Sequence, residues 1–188
     1  MKLVRPLCIS FGALALLTGI AYPVAVTGIA RVAFPDQAGG SLLRVGGRVR
    51  GSRLIAQATQ DPRYFRCRPS PTGPFPTNAA AGAGSTLAAS NPALGAAVAR
   101  RLEALRASDP GQRDPVPQDL VAASGSGLDP HISPESARWQ AGRIAAARGM
   151  ARDAVERLVE KHLEGGLLSP RRVNALALNQ ALDAMERR

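Results

Sequence analysis

From Pro6 to Ala30 the chain runs 25 residues without a charge, and this stretch constrains what the molecule can be more than any other. As a helix rising about 1.5 Å per residue it reaches roughly 37 Å, longer than the ~30 Å hydrocarbon core of a bilayer. It can therefore span with some tilt. The competing reading is a cleaved signal peptide, whose apolar region runs only about 7–15 residues before a small-residue cleavage site. Gly28-Ile29-Ala30 is a poor site after so long a run, which makes residues 6–30 a retained transmembrane helix. Pro23 removes one backbone hydrogen bond and can kink that helix, a loss that neighbouring groups can resupply inside a membrane. Gly12, Gly19 and Gly28, with Pro23, mark candidate partner contacts, because small side chains let a second helix approach closely. Cys8 reads as a small apolar residue within the helix.

Charge narrows the function. The net charge is +10, and residues 31 to 68 hold +6 of it, as eight arginines against Asp36 and Asp61. A basic block beside a membrane segment suits anionic headgroups or an acidic partner. Seven scattered aromatics are too few for a base-stacking platform. The only lysines are Lys2 and Lys161, neither preceded by glycine, so there is no phosphate-binding loop of the Walker type. Lys2 and Arg5 oppose Arg31, Arg44, Arg48 and Arg50 across the span, so charge bias alone does not orient it. A head of residues 1–5 kept in the cytoplasm and a long domain, 31–188, carried to the outer face fit the rule that long domains cross largely regardless of charge.

The domain reads as mixed α+β. Phe34-Pro35 ends the span. Leu42–Val45 and Arg48–Arg50 flank Gly46-Gly47 as a hairpin, and Leu54-Ile55 starts another short apolar element. Residues 66–92, rich in Pro, Gly, Ala, Ser, Thr and Asn, read as an irregular loop, either a contact loop or surface filler. Asn91-Pro92 caps a helix with Leu94, Val98, Leu102 and Leu105 at helical spacing. Asp119–Val121 reads as a short strand. Ser133-Pro134 caps a helix to about Arg148, closed by Gly149. A further helix covers about 151–163 with His162 on its apolar face, Gly165-Gly166 closes it, and a last helix carries Leu176, Leu178 and Leu182. A domain of this size buries about 70% of its unfolded surface and needs no disulfide.

Chemical constellations are sparse. His131, His162 and Cys67 show no zinc spacing. Hydroxyls, a carboxylate and an imidazole crowd together only from Ser124 to His131, yet Ser126 lacks the glycine two residues earlier that a nucleophile elbow requires. Gly125 and Gly127 suit a sharp loop, and Asp129-Pro130 a turn. Backbone amides of Ser124, Gly125, Ser126 and Gly127 could cradle a phosphate, though no lysine follows them.

The order of elements then resembles a known family. Leu17–Pro23 with Val26–Ala30, Phe34-Pro35, Gly51-Ser52 with Leu54-Ile55 and Gln57, Tyr64-Phe65 and Arg68-Pro69-Ser70 look like the C subunit of the Kdp-type potassium-transporting P-type ATPase. Val116-Pro117, Asp119–Val121, the run SGSGLDPHIS from Ser124 to Ser133, and Arg172–Asn174 with Leu176, Leu178 and Asn179 continue the likeness. Gly39, Cys67 and Thr86 depart from the family's usual Asn, Gly and Asn. The resemblance implies a non-catalytic, single-pass subunit of an inner-membrane pump. A channel-like subunit carries K+, a P-type ATPase subunit uses ATP and Mg, and a small membrane subunit completes the complex. It also implies an alternative, a catalytic chaperone that raises the ATPase subunit's affinity for ATP, with Gln140 in nucleotide contact. Arg68, Asp129 and His131 stand beside the helix positions as candidate partner contacts.

Overall fold

The computed structural model describes residues 3–186, and the chain divides into two units, Met1–Ser52 and Arg53–Arg188. Of the expected head, Met1 and Lys2 lie outside the described residues. The first unit is dominated by one helix, Val4–Ala33, long and apolar enough to cross a membrane, with none of its apolar window buried in protein. It extends beyond the expected 6–30 at both ends. Arg5 is already helical, and Arg31 stands in the last turn, where a cation complements the helix dipole.

The helix is not uniform. Helix α1, Val4–Leu16, passes into a wider π turn, Leu17–Ala21, before α2 resumes over Tyr22–Ala33. The Tyr22 amide donates to the Leu17 carbonyl five residues back. A proline ring clashes with the carbonyl four residues before it, here Gly19, and the widened turn lies just there. Pro23 is thus absorbed within the helix, which runs on to Phe34. At Phe34 the backbone leaves helical space (φ −138°, ψ 61°). A short turn of helix the sequence did not announce, α3, Pro35–Ala38, follows. Strands β1, Leu42–Val45, and β2, Arg48–Ser52, then pair antiparallel. Their turn glycines sit at φ 57° and 76°, as a two-residue turn between right-twisting strands demands.

The second unit packs α helices on a small antiparallel sheet. Its elements are α4 (Pro92–Ser108), a 3-10 turn (Gln118–Leu120), β3 (His131–Ile132), α5 (Pro134–Arg148), α6 (Arg152–Lys161), β4 (Leu163–Gly166), β5 (Ser169–Asn174) and α7 (Ala175–Glu186). The sheet order is β3-β5-β4. Helix α5 organises the unit. Ala137, Ala141, Ile144 and Ala145 from α5 meet Phe65, Ile132, Val155, Val159, Val173, Leu178 and Leu182 in the main core. From another side of α5, Trp139 closes a smaller cluster with Leu105 and Leu120. The caps are those expected. Asn91 Oδ1 accepts from the Ala93 amide at 2.9 Å, Ser133 Oγ from the Ser136 amide at 3.1 Å, and Gly149 takes the left-handed conformation.

Five local expectations are corrected. Leu54-Ile55 forms no regular element and Leu54 is exposed. Irregular chain runs from Arg53 to Asn91, longer than 66–92. Residues 118–120 form a 3-10 turn instead of a strand, because the Asp119 carboxylate accepts from Ser133 and Ser136 at the start of α5. The helix expected to 163 stops at Lys161, so His162 is its cap residue, with Nδ1 2.8 Å from the Leu158 carbonyl. Gly165 and Gly166 do not end a helix but belong to β4, opposite β5.

Candidate functional site

Arg68, Asp129 and His131, far apart in part in the sequence, form one polar cluster. Asp129 Oδ1 accepts from the His131 amide at 3.0 Å and lies 3.1 Å from its ring Nδ1. Asp129 Oδ2 is 3.7 Å from Arg68 Nη1, and Arg68 Nη2 donates to the Ala123 carbonyl at 3.1 Å. Nothing in the local sequence marks the fourth member, Glu164 on β4, whose Oε2 is 3.6 Å from His131 Nε2. The cluster ties the irregular loop, the Asp129-Pro130 segment and the β4–β5 hairpin together. Each member is partly exposed, so each pair contributes at most about 1 kcal/mol. A cavity of about 600 Å³ adjoins it, lined by Arg68, Val116, Asp119, Ser133 and Glu135 among others.

The Ser124–Gly127 loop packs on irregular chain. Its Gly127 amide donates to the Ser124 carbonyl at 3.3 Å, and Ser126 Oγ accepts from the Leu128 amide at 3.1 Å. Gly127 has φ 68°, and a Cβ there would come within 2.6 Å of the Ala83 carbonyl oxygen and 2.7 Å of Thr72 Cγ2. A Cβ on Gly84 would come within 2.7 Å of the Gly125 carbonyl oxygen. The chain's own 72–84 segment packs against Gly127 on the side where a Cβ would stand. That segment is itself ordered by Thr72 and Asn78, through hydrogen bonds to Phe75, Gly73 and Ala80.

Gln140 stands elsewhere, and only 1% of it is exposed. Its Oε1 accepts from the Arg66 amide at 2.8 Å and from Arg143 Nη2 at 3.0 Å. Its Nε2 donates to the Arg66 and Ser136 carbonyls at 3.2 and 3.3 Å. None of these bonds reaches Ser124–Gly127. On the other flank, Asn179 Oδ1 accepts from the Phe65 amide at 2.7 Å and Nδ2 donates to its carbonyl at 3.0 Å. Two side-chain amides thus stand in for the neighbouring strands that Phe65-Arg66 lacks, satisfying backbone groups that would be costly to bury unpaired. Arg143 donates to the Pro62 and Tyr64 carbonyls, and Arg148 to that of Arg63. The five residues 62–66 form a strap held by α5 and α7, with Phe65 fully buried beneath it. Burial, and then the nearby charge of Arg66, pushes the Arg143 guanidinium down to about 10. Arg143 and Arg66 were not singled out from the sequence, although Arg143 stands one turn from Gln140.

Cys67, next along the strap, is partly buried against the main core, and burial raises its thiol to about 11. Among the described residues no group of three or more His, Cys, Asp or Glu side chains is arranged to hold a metal ion.

The model of the family described as KdpC, K+-transporting ATPase, c chain, matches residues 4–184. The chain belongs to the KdpC family. Family members named as the KdpC subunit of a potassium-transporting ATPase include one from Variovorax paradoxus (strain S110), 53% identical over 186 residues, covering 97% of this chain and 96% of the relative. Another from Sorangium cellulosum (strain So ce56) is 54% identical over 182 residues, 95% and 96% of the two chains. A third from Methylococcus capsulatus is 53% identical over 173 residues, 90% and 91%. The KdpC match takes in both units, the apolar helix as well as the domain.

Proposed function

We propose that this chain is a membrane-anchored, non-catalytic accessory subunit of an ATP-driven potassium uptake pump, which assembles and stabilises the pump's channel-like and P-type ATPase subunits. The family match along residues 4–184 carries the reading. Val4–Ala33 spans the inner membrane, the N-terminus is cytoplasmic, and the domain faces the outside. In this arrangement K+ passes through the channel-like subunit, ATP and Mg act at the ATPase subunit, and a small membrane subunit completes the assembly. Arg68, Asp129, His131 and the helix positions Gly12, Gly19, Pro23 and Gly28 serve as contacts. The work already given to the polar side chains supports this. Gln140 would have to give up four hydrogen bonds to touch a nucleotide, which counts against the alternative of a chaperone that raises ATP affinity by direct contact.

Deleting the gene tests the reading. The expected result is a pump that fails to co-purify as a complex and cells that fail to grow at low potassium, and an intact, active pump without this chain would refute it. Photo-labelling of the co-purified complex with an azido-ATP analogue separates the two roles, since label on this chain would establish the alternative. Topology is read with Glu103→Cys, an exposed position on α4, in a chain carrying Cys8→Ala and Cys67→Ala. An impermeant thiol reagent should modify it in intact spheroplasts. Native Cys67 is unsuited to that experiment because its thiol is partly buried and held protonated.

A further inference from the structure

The β4–β5 hairpin closes through Gly166 opposite Ser169, so its two-residue turn is Leu167-Leu168. Hairpins of this length ordinarily place Asn, Asp or Gly there. Both leucines stand wholly in solvent, at 101% and 98% exposure, more than any other large apolar side chain among the described residues. Isolated exposed leucines are ordinary, but this adjacent pair is held outward by the turn. Gly165 has φ 97°, and a Cβ there would collide with the Pro170 carbonyl, so the two strands pinch together just behind the leucines. Arg171 and Arg172 follow, both exposed and, among the described residues, without an ion pair. Successive strand residues point to opposite faces, so one guanidinium flanks the tip on each side. Glu164, opposite Arg172 in the ladder, faces His131.

We propose that the Leu167-Leu168 tip is a second, peripheral membrane contact that inserts into the headgroup layer of an anionic bilayer, with Arg171 and Arg172 on lipid phosphates. An apolar crown with a basic collar is the arrangement that enters an interface and stays there, because the leucines leave water while the arginine stems keep their charges at the phosphates. The inference rests on the reading of Val4–Ala33 as a span, which would hold the domain within reach of lipid.

The test uses the full chain with Cys8→Ala and Cys67→Ala, in nanodiscs of phosphatidylcholine with 30% phosphatidylglycerol, alone and in the co-purified pump. A fluorophore on Gly166→Cys, where a side chain meets no neighbour, should be quenched at least twofold by shallow doxyl-labelled lipid. Leu167→Ser with Leu168→Ser, both fully exposed and so harmless to folding, should abolish the quenching. Arg171→Gln with Arg172→Gln, or removal of the anionic lipid, should reduce it by half or more. A companion fluorophore on Leu14→Cys reads the span itself. Quenching at Leu14 without any at Gly166 overturns the tip proposal and leaves the span standing. Shielding at Gly166 that appears only in the pump and does not respond to doxyl lipid overturns it too, and assigns the tip to a protein surface. Loss of quenching at Leu14 would overturn the reading of the span and this proposal with it.

Discussion

The two units of this chain invert one another. Along Val4–Ala33 large apolar residues such as Leu7, Phe11, Leu17 and Val24 are all exposed, whereas in the domain Ser136, Gln140 and Arg143 are buried, only 0–7% exposed. The helix pairs its backbone groups within itself, apart from the bond that Pro23 cannot donate, and leaves its side chains to an apolar solvent. The domain has a long irregular segment whose backbone cannot satisfy itself, so polar side chains go inside to do it. Burial of polarity in this molecule therefore marks where regular structure is missing, and apolar exposure marks where a membrane takes the place of a core.

The largest test of this contrast removes the anchor of the strap. Phe65→Ala should cost about 4 kcal/mol, seen as a lowered urea midpoint followed by Trp139 fluorescence. Next, Leu17→Asp near the middle of the span should cost about 3 kcal/mol in membrane insertion, measured by a glycosylation-type insertion assay, while leaving the domain's urea midpoint unchanged. A shift in both would break the independence of the units. Gln140→Ala leaves the Arg66 amide and carbonyl unpaired and should cost about 2 kcal/mol in the same urea assay. If it costs nothing, the side-chain amides are not what holds the strap. The smallest effect is on pH. Because the Cys67 thiol is raised to about 11 from 9.0, its contribution is fully present below pH 9 and is lost as pH rises towards 11. Discounted for the residue's partial exposure, this is of order 1 kcal/mol. The stability of Cys67→Ala should therefore fall less steeply over that interval than that of the parent.

What could be read from the sequence follows locality. The span, the Gly46-Gly47 hairpin, the Asn91 and Ser133 caps and helices α4, α5 and α7 each depend on residues a few positions apart, and each was legible. The β4–β5 hairpin was not, because two glycines after a helix look like its stop, and only the pairing of Glu164 with Arg172 makes them strand. The Asp129–His131 pair could be seen as near neighbours, but Arg68 and Glu164 join it only through folding. Gln140 reads as a polar position on a helix. Its spacing from Ala137, Ala141 and Ile144 does place it on the buried face, a sign that it faces backbone rather than water.

The π turn at Leu17–Ala21 bears on the outline of the anchor. An α-helix rotates about 100° per residue, so the sixteen steps from Gly12 to Gly28 would set those two glycines about 160° apart, on opposite sides of a uniform rod. A π turn adds one residue without adding rotation, which leaves them about 60° apart. The bulge next to Pro23 thus gathers notches that would have been scattered around the cylinder towards a single flank, leaving the rest of its circumference to bulkier side chains.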